Sequence, residues 1–299
     1  MRYGQPSQTA RRAAAYRAIH QTLEAGAIFK DQLALRILDE EMAAALNKIA
    51  TDVSVRPMRL FTAARSRLSE DSIANCVADG VRQVVVLGAG LDTFSLRDPY
   101  AALGVRVFEV DHPATQVWKR DRISAAGLSE PPSLVFAPID FERESPAKGL
   151  TRAGFNVDAP AVFQWLGVVP YLTKDAILST LKFMSQLPQA FVVFDYAEPF
   201  QNYPAERRAS IMATAERAAA RGEPWLSLFE PSELHELLRG AGFSAIEDLG
   251  ASEIAERFYG VLGRDITLGP GPHIVRAATE GPLMSRFALD PVVVEPERG

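Results

Sequence analysis

The apolar residues of the chain fall into short unbroken runs, separated by longer stretches with helical spacing. Residues 84–87, Val-Val-Val-Leu, are apolar without alternation, as expected for a parallel strand that is covered on both faces. Similar stretches predict six more strands, at residues 105–110, 133–139, 161–167, 190–195, 244–249 and 273–278. Strands that alternate with helices predict an α/β fold with a mostly parallel seven-stranded sheet and helices on both faces.

Helical spacing dominates the part of the chain that precedes the first strand. We predict helices over residues 9–23, 31–50 and 57–78, which form an N-terminal helical cap over residues 1–80. Further helices are predicted at residues 114–126, 177–187, 204–221 and 231–240. With 299 residues and 47% hydrophobic content the chain can bury a large core, and we expect a single domain, 1–299. Its other parts are a core over residues 81–279, a helical lid insertion near 200–241 and a tail over 280–299.

Two glycines end the first strand abruptly. Gly88 and Gly90 lack the Cβ atoms that would hinder a tight turn or the close approach of a ligand. In an open α/β sheet the ligand crevice lies at this end of the strands. Asp111 ends the second strand about 20 residues later, where nucleotide-binding proteins carry a carboxylate for ribose hydroxyls. The pair predicts a nucleoside site, with plain turn glycines as the alternative interpretation.

The loop lacks the third glycine of the dinucleotide-binding pattern. Thr93 stands three residues after Gly90, and Asp92 lies between them. A carboxylate at this point would repel a pyrophosphate bound at a helix start. We therefore predict a nucleoside ligand without phosphates.

Four segments of the chain resemble the leucine carboxyl methyltransferase-like family. They are Leu-Gly-Ala-Gly-Leu-Asp-Thr at 87–93, Phe-Glu-Val-Asp-His-Pro-Ala-Thr-Gln-Val-Trp-Lys-Arg at 108–120, Asp-Phe at 140–141, and Trp-Leu-Gly-Val-Val-Pro-Tyr-Leu at 165–172. The resemblance extends from about residue 7 to residue 276, which is nearly the whole chain. It implies a Rossmann-like methyltransferase fold and S-adenosyl-L-methionine as the cofactor.

The resemblance also implies roles for residues outside the glycine loop. Arg65 matches an arginine that holds the carboxylate of the methionyl end, and a guanidinium can grip that group with two parallel hydrogen bonds. An exposed helix arginine is the alternative. Asp140 and Phe141 match a pair that binds adenine through the carboxylate and the following backbone N–H. Together with the two glycines and Asp111, these residues form the predicted cofactor-binding set.

Two positions depart from the family pattern. Gln8 stands where the family often has a basic residue, and Leu166 stands where it often has a glutamate. Since Leu166 can only pack, a contact to the polar end of the cofactor is either absent or supplied by another group, such as Gln164 or a water.

Aromatic and charged residues near the strand ends suggest further roles. The fourth and fifth strands end at the same crevice, so Tyr171 and Tyr196 are candidates for orienting a substrate, although core or rim aromatics would look identical. His112 is the one histidine in the predicted strand-end loops, and a proline follows it at a helix start, so we expect no dedicated general base. In that helix we expect Lys119 and Arg120 to be solvated.

Composition and charge limit the range of partners. A formal net charge of −5 offers no electrostatic footprint for nucleic acid or an anionic membrane, which favours a small-molecule substrate. Cys76 is the only cysteine, and the four histidines are scattered, so we expect neither an intramolecular disulfide nor a metal. We find no signal core or apolar span of about 18 residues, and we expect a cytoplasmic protein. For the tail, docking on a neighbouring subunit of a homo-oligomer and local disorder both stay open.

These observations predict an S-adenosylmethionine-dependent O-methyltransferase that acts on a carboxylate or hydroxyl of a small metabolite or carrier-bound intermediate. The sulfonium already activates the methyl group, so the lack of a nucleophile elbow or acid–base constellation fits methyl transfer. Two alternatives stay open: a nicotinamide-dependent oxidoreductase on a similar sheet, and a non-catalytic nucleoside-binding protein. Asp92 and the missing third glycine disfavour the oxidoreductase.

Overall fold

The apolar run before the glycines is a strand, β1 (Gln83–Leu87), whose five residues are all buried. The computed structural model describes residues 8–140, 144–263 and 271–280. Within them, six further strands pair into the same sheet: β2 (Arg106–Asp111), β3 (Leu134–Pro138), β4 (Ala161–Trp165), β5 (Ala190–Tyr196), β6 (Ala245–Leu249) and β7 (His273–Ala278). The apolar runs of the sequence therefore placed each strand within two residues of its observed ends.

The sheet has the strand order β3-β2-β1-β4-β5-β7-β6. The first five strands in this order pair in parallel, while β7 pairs antiparallel with both β5 and β6. The predicted mostly parallel, seven-stranded α/β sheet is thus confirmed. In this register Leu87 lies opposite Val110, so Asp111 lies level with the glycine loop after β1.

Ten α-helices of the described residues connect and cover the strands. They are α1 (Gln8–Leu23), α2 (Glu40–Thr51), α3 (Arg56–Ala78), α4 (Phe94–Arg97), α5 (Pro113–Ala125), α6 (Pro146–Arg152), α7 (Lys174–Ser185), α8 (Ala205–Ala220), α9 (Pro231–Ala241) and α10 (Ala251–Ile254). Helices α5 and α9 begin with a proline, whose fixed φ suits a first turn.

The prediction of a helix over residues 31–50 was wrong for its first part, residues 31–39. Helix α2 begins at Glu40. Asp39 is its N-cap, and the Asp39 side chain accepts a hydrogen bond from the Met42 N–H at 2.8 Å. Residues 31–38 form turns instead. Asp31 explains this locally, because its carboxylate accepts hydrogen bonds from the Leu33 N–H at 3.0 Å and the Thr93 hydroxyl at 2.8 Å.

Alternate residues of β1 face opposite apolar layers. Val84 and Val86 pack in the core cluster that includes α3, whereas Val85 and Leu87 pack in the cluster that includes α7. A third cluster joins the small residues of α1 to Leu91 in the glycine loop. Since each buried aliphatic side chain contributes roughly 1.5–3 kcal/mol, the two layers hold the sheet rigid while the third fixes α1 over its carboxyl edge.

Substitution of the first glycine tests how tightly this edge is packed. Gly88 has φ +67°, and an added Cβ would lie 2.3 Å from Val168 Cγ2, whereas Gly104 has φ +66° and open space around it. We expect Gly104→Ala to cost about 1 kcal/mol from its backbone conformation alone. Gly88→Ala should cost about 1–3 kcal/mol more, because Val168 must move. Equal losses in denaturant unfolding would contradict the close approach.

Candidate functional site

A cavity of about 440 Å³ lies at the carboxyl edge of the sheet. Its floor is the loop after β1 together with the residues that end or follow β2, β3 and β4. Its walls come from α1 and α3, and residues 222–226, which follow α8, close one side. The cavity therefore lies where an open α/β sheet places its ligands.

The glycine loop approaches its neighbours at van der Waals limits. Besides the contact of Gly88 with Val168, a Cβ on Gly90 would lie 2.8 Å from Ala10 Cβ in α1. The Gly90 N–H donates to Asp111 Oδ2 at 2.6 Å, and the His112 N–H donates to Asp111 Oδ1 at 2.7 Å. Burial raises the pKa of Asp111 in spite of these two hydrogen bonds. The carboxylate is fixed at the cavity floor, beside the loop.

Most of the residues singled out from the sequence lie together here. The cavity is lined by Arg65, Gly88, Gly90, Asp111, Asp140 and Tyr171. Phe141 lies outside the described residues. The individual cofactor contacts of this set stay predictions. The residues nevertheless share one cavity, although they range from Arg65 to Tyr171 in the chain.

Arg65 is a buried cavity residue, 8% exposed, rather than the exposed helix arginine of the alternative interpretation. Its Nη1 lies 2.9 Å from Asp195 Oδ2, and the other oxygen of Asp195 accepts the Gly167 N–H at 2.6 Å. A buried arginine needs such a partner. The ion pair holds the guanidinium at the end of β4.

Gln164 and Leu166 face the cavity from the same side of β4 and the residue after it. The Ser69 hydroxyl donates to Gln164 Oε1 at 2.9 Å, and Gln164 Nε2 donates to Asp92 Oδ2 at 3.0 Å. Leu166 offers only apolar contact. At the position where the family pattern often has an acid, the polar groups on this side are therefore Gln164 and Asp92.

Two cavity residues were missed by the sequence interpretation. Arg17 in α1 donates from Nη2 to the Leu91 carbonyl at 2.6 Å. Glu223, after α8, accepts the backbone N–H groups of Gln8 and Thr9 at 3.1 Å each, and so caps the start of α1. Neither residue belongs to a motif, and only the tertiary fold brings them to the cavity.

Lys119 is not solvated, contrary to the sequence expectation. It is 1% exposed, and its Nζ lies 2.6 Å from Glu109 Oε2 in β2. Arg120, the next residue, is exposed as expected and pairs with Glu130. Burial raises the pKa of Glu109, while Lys119 counteracts this. A buried ion pair thus supports the strand that carries Asp111.

His112 lines the cavity, but both nitrogens of its ring lie near other groups of the protein. Nδ1 accepts the Ala114 N–H at 3.2 Å as the N-cap of α5, and Nε2 lies 4.0 Å from Asp140 Oδ2. The lone pair of Nδ1 is therefore engaged by a backbone donor. Tyr171, also at the cavity, lies with its hydroxyl 3.5 Å from the Thr9 hydroxyl, and burial raises its pKa.

Tyr196 does not line the cavity, so the expectation that it faces the same crevice as Tyr171 is corrected. Its hydroxyl donates to Asp248 Oδ2 at 2.8 Å, under the antiparallel edge of the sheet. His235 and His273 contact the same carboxylate at 2.9 and 2.8 Å. The antiparallel entry of β7 beside β5 creates this separate polar cluster, which the pattern of strand ends does not reveal.

Comparisons with known proteins agree with this architecture. The family model for leucine carboxyl methyltransferase matches residues 10–185. YktD of Bacillus subtilis (strain 168), whose name describes an S-adenosyl-L-methionine-dependent methyltransferase, is 31% identical over 287 residues, 87% of this chain and 93% of its own. A similarly named protein of Mycobacterium sp. (strain JLS) is 34% identical over 128 residues, 42% of this chain and 48% of its own. The solved structure of a DUF574 family protein from Streptomyces avermitilis, 16% identical, has a TM-score of 0.56 over 90% of this chain and 97% of that one, which supports the fold alone.

The sheet, its glycine loop and these relatives define an S-adenosyl-L-methionine-dependent methyltransferase. Within that class the chain belongs to the leucine carboxyl methyltransferase family. The expectation from the sequence resemblance is confirmed, and the oxidoreductase and non-catalytic alternatives are not retained. No helix in the described part of the chain is long and apolar enough to cross a bilayer. Across the same ranges, no group of three or more His, Cys, Asp or Glu side chains is placed to hold a metal ion.

The polar cluster around Asp248 predicts a pH dependence of stability. Burial would lower the pKa of His273, but the hydrogen bonds and charges of Asp248 and Glu198 raise it above its ordinary value. Its stabilising contribution is therefore complete below about pH 6.5 and is lost as the pH rises through the higher folded pKa. We expect the free energy of unfolding of the unmodified protein to fall over this range more steeply than that of His273→Gln. Parallel profiles in denaturant titrations would exclude this role.

Proposed function

We propose that this methyltransferase methylates an oxygen, that of a carboxylate or a hydroxyl, on a small metabolite or carrier-bound intermediate, and that a carboxylate is the preferred acceptor. Asp111 would hold the ribose, Asp140 and Phe141 the adenine, and Arg65 the methionyl carboxylate, with Gly88 and Gly90 allowing close approach. When bound, S-adenosylmethionine supplies an activated methyl group, so the chain need only align the acceptor and exclude water.

We also propose that the chain acts as a single domain in which the helices of residues 1–80 cap the cavity and the insertion at 200–241 serves as a lid. Contacts at the cavity support this assignment. The cavity is lined from above the sheet edge by Thr9 and Ala10 of α1 and, after α8, by Gly222, Glu223, Pro224 and Leu226. Glu223 joins the two segments directly through the α1 cap.

The charge of the cavity supports a cationic ligand. Four acidic side chains line it, whereas both of its arginines already pair with aspartates outside it. The acids are Asp92, Asp111, Asp140 and Glu223. A sulfonium is favoured by this balance, and a pyrophosphate would be repelled by it.

One observation carries the preference for a carboxylate acceptor. His112 is the one histidine among the described cavity residues, and its Nδ1 already accepts a hydrogen bond from the backbone at the start of α5. An alcohol or phenol must lose its proton during transfer, and an imidazole base is the usual means. A carboxylate is ionised at neutral pH and needs no base. The positive charge of the bound cofactor would balance the added anion in the acidic cavity.

The pH profile of methyl transfer tests this choice. Transfer from radiolabelled S-adenosylmethionine to a metabolite panel should first identify an acceptor. For a carboxylate, kcat/KM should show no inflection from acceptor ionisation between about pH 6 and 9, since such groups have a pKa near 4. A rate that rises steeply through this range, and that His112→Gln flattens, would instead establish a hydroxyl acceptor with assisted deprotonation.

Arg65→Lys tests the assigned grip on the methionyl carboxylate. Lysine keeps the charge and can still meet Asp195, but it cannot form two parallel hydrogen bonds. We expect the Kd of S-adenosylhomocysteine to rise about tenfold, while adenosine, which has no carboxylate, binds almost unchanged. Arg67→Lys, also in α3 but paired with Asp71, is the matched control. Equal weakening of both ligands would assign Arg65 to packing alone.

A further inference from the structure

The methionyl end of the cofactor carries an ammonium as well as a carboxylate. Burying an ammonium is costly unless an acceptor, preferably an anion, replaces its water. Arg65 is suited to the carboxylate, but a cation cannot accept the ammonium hydrogens. We therefore expect an acceptor, preferably an acidic residue, on the same side of the cavity.

The order of the strands shows which side of the cavity would hold the methionyl end. Asp111 ends β2 and Asp140 follows β3. Arg65 lies beside Gly167, after β4, where an added Cβ would be 2.9 Å from the guanidinium. Asp92 also belongs to the β4 side, because Gln164 of β4 donates to its Oδ2. Asp92 and Arg65 thus share the end of the cavity away from the nucleoside residues.

Near Arg65, Asp92 is the acidic residue that remains once each basic side chain is matched with its acidic partner. Four basic side chains around the cavity or beneath its loop each have an acidic partner of their own: Arg17 with Asp31, Arg65 with Asp195, Arg97 with Glu70, and Lys119 with Glu109. Asp92 forms no ion pair in residues 8–140, 144–263 and 271–280. It accepts only the Phe94 N–H at 2.8 Å and the Gln164 amide at 3.0 Å.

We propose that Asp92 binds the ammonium of the cofactor's methionyl end. The Gln164 amide holds the Asp92 carboxylate in place, and the Ser69 hydroxyl in turn holds Gln164. Burial disfavours a charged Asp92, but Arg17, Lys119, the Phe94 N–H and Arg97 together lower its pKa, so the group is a carboxylate. Leu166, on the same side, offers no acceptor. This assignment rests on the proposed placement of S-adenosylmethionine in the cavity.

Asp92→Asn is the direct test, because asparagine keeps the shape and can still accept the Phe94 N–H while losing the charge. Calorimetry would compare S-adenosylhomocysteine with the analogue that lacks only its α-amino group. We expect Asp92→Asn to raise the Kd of S-adenosylhomocysteine about 10- to 100-fold and to change that of the analogue less than about twofold. Asp71→Asn removes the same charge outside the cavity and should affect neither ligand.

A second variant controls for the possibility that Asp92→Asn weakens binding by disturbing the glycine loop. Asp92→Asn combined with Leu166→Glu puts a carboxylate back on the same side of the cavity, and it should regain part of the lost affinity for S-adenosylhomocysteine. Equal weakening of both ligands, or none, with Asp92→Asn would overturn the proposal, as would a selective loss with Glu223→Gln instead. If the unmodified protein fails to bind S-adenosylhomocysteine, the proposed cofactor placement itself falls.

Discussion

The turn after β1 is the constraint on which the rest of the site depends. Gly88 and Gly90 adopt left-handed backbone conformations, and each is pressed by a neighbour, Val168 from the β4 side and Ala10 from α1. Because only glycine leaves room for both approaches, the loop can lie flat between the sheet edge and the capping helix. The Gly90 N–H then points at Asp111, which couples the position of β2 to that of the loop.

Charge is balanced locally around this turn. Lys119 pairs with Glu109 beneath the strand that ends in Asp111, and Arg65 pairs with Asp195 across the end of β4. Each pair would be costly to break, about 3–5 kcal/mol, because the remaining charge would be buried without a partner. Arg17, Arg65 and Lys119, which lie near the cavity, each have an acidic partner, so the carboxylates that line the cavity are not needed to balance these three cations.

The strands and the glycine loop could be predicted because their signals are local: buried parallel strands are unbroken apolar runs, and turns need glycine. The resemblance added Arg65 and Asp140, which also line the cavity. Arg17, Glu223 and the burial of Lys119 could not be predicted, because the groups that they contact belong to other elements of the tertiary fold: the glycine loop, the start of α1 and strand β2. Tyr196 was misplaced for a related reason, because its neighbours come from a strand that enters antiparallel at the far edge.

The contact of Glu223 with the start of α1 also bears on how molecules enter. It joins segments 214 residues apart, so separating the insertion from the sheet edge and fraying the first turn of α1 are one event. A cap of this kind is worth about 1 kcal/mol, which favours the joined form only about fivefold. Since the Leu226 N–H also donates to the Pro170 carbonyl at 2.7 Å, loss of the Glu223 contact would leave the insertion anchored to the residues after β4, and a bulky acceptor would have to enter between that anchor and α1.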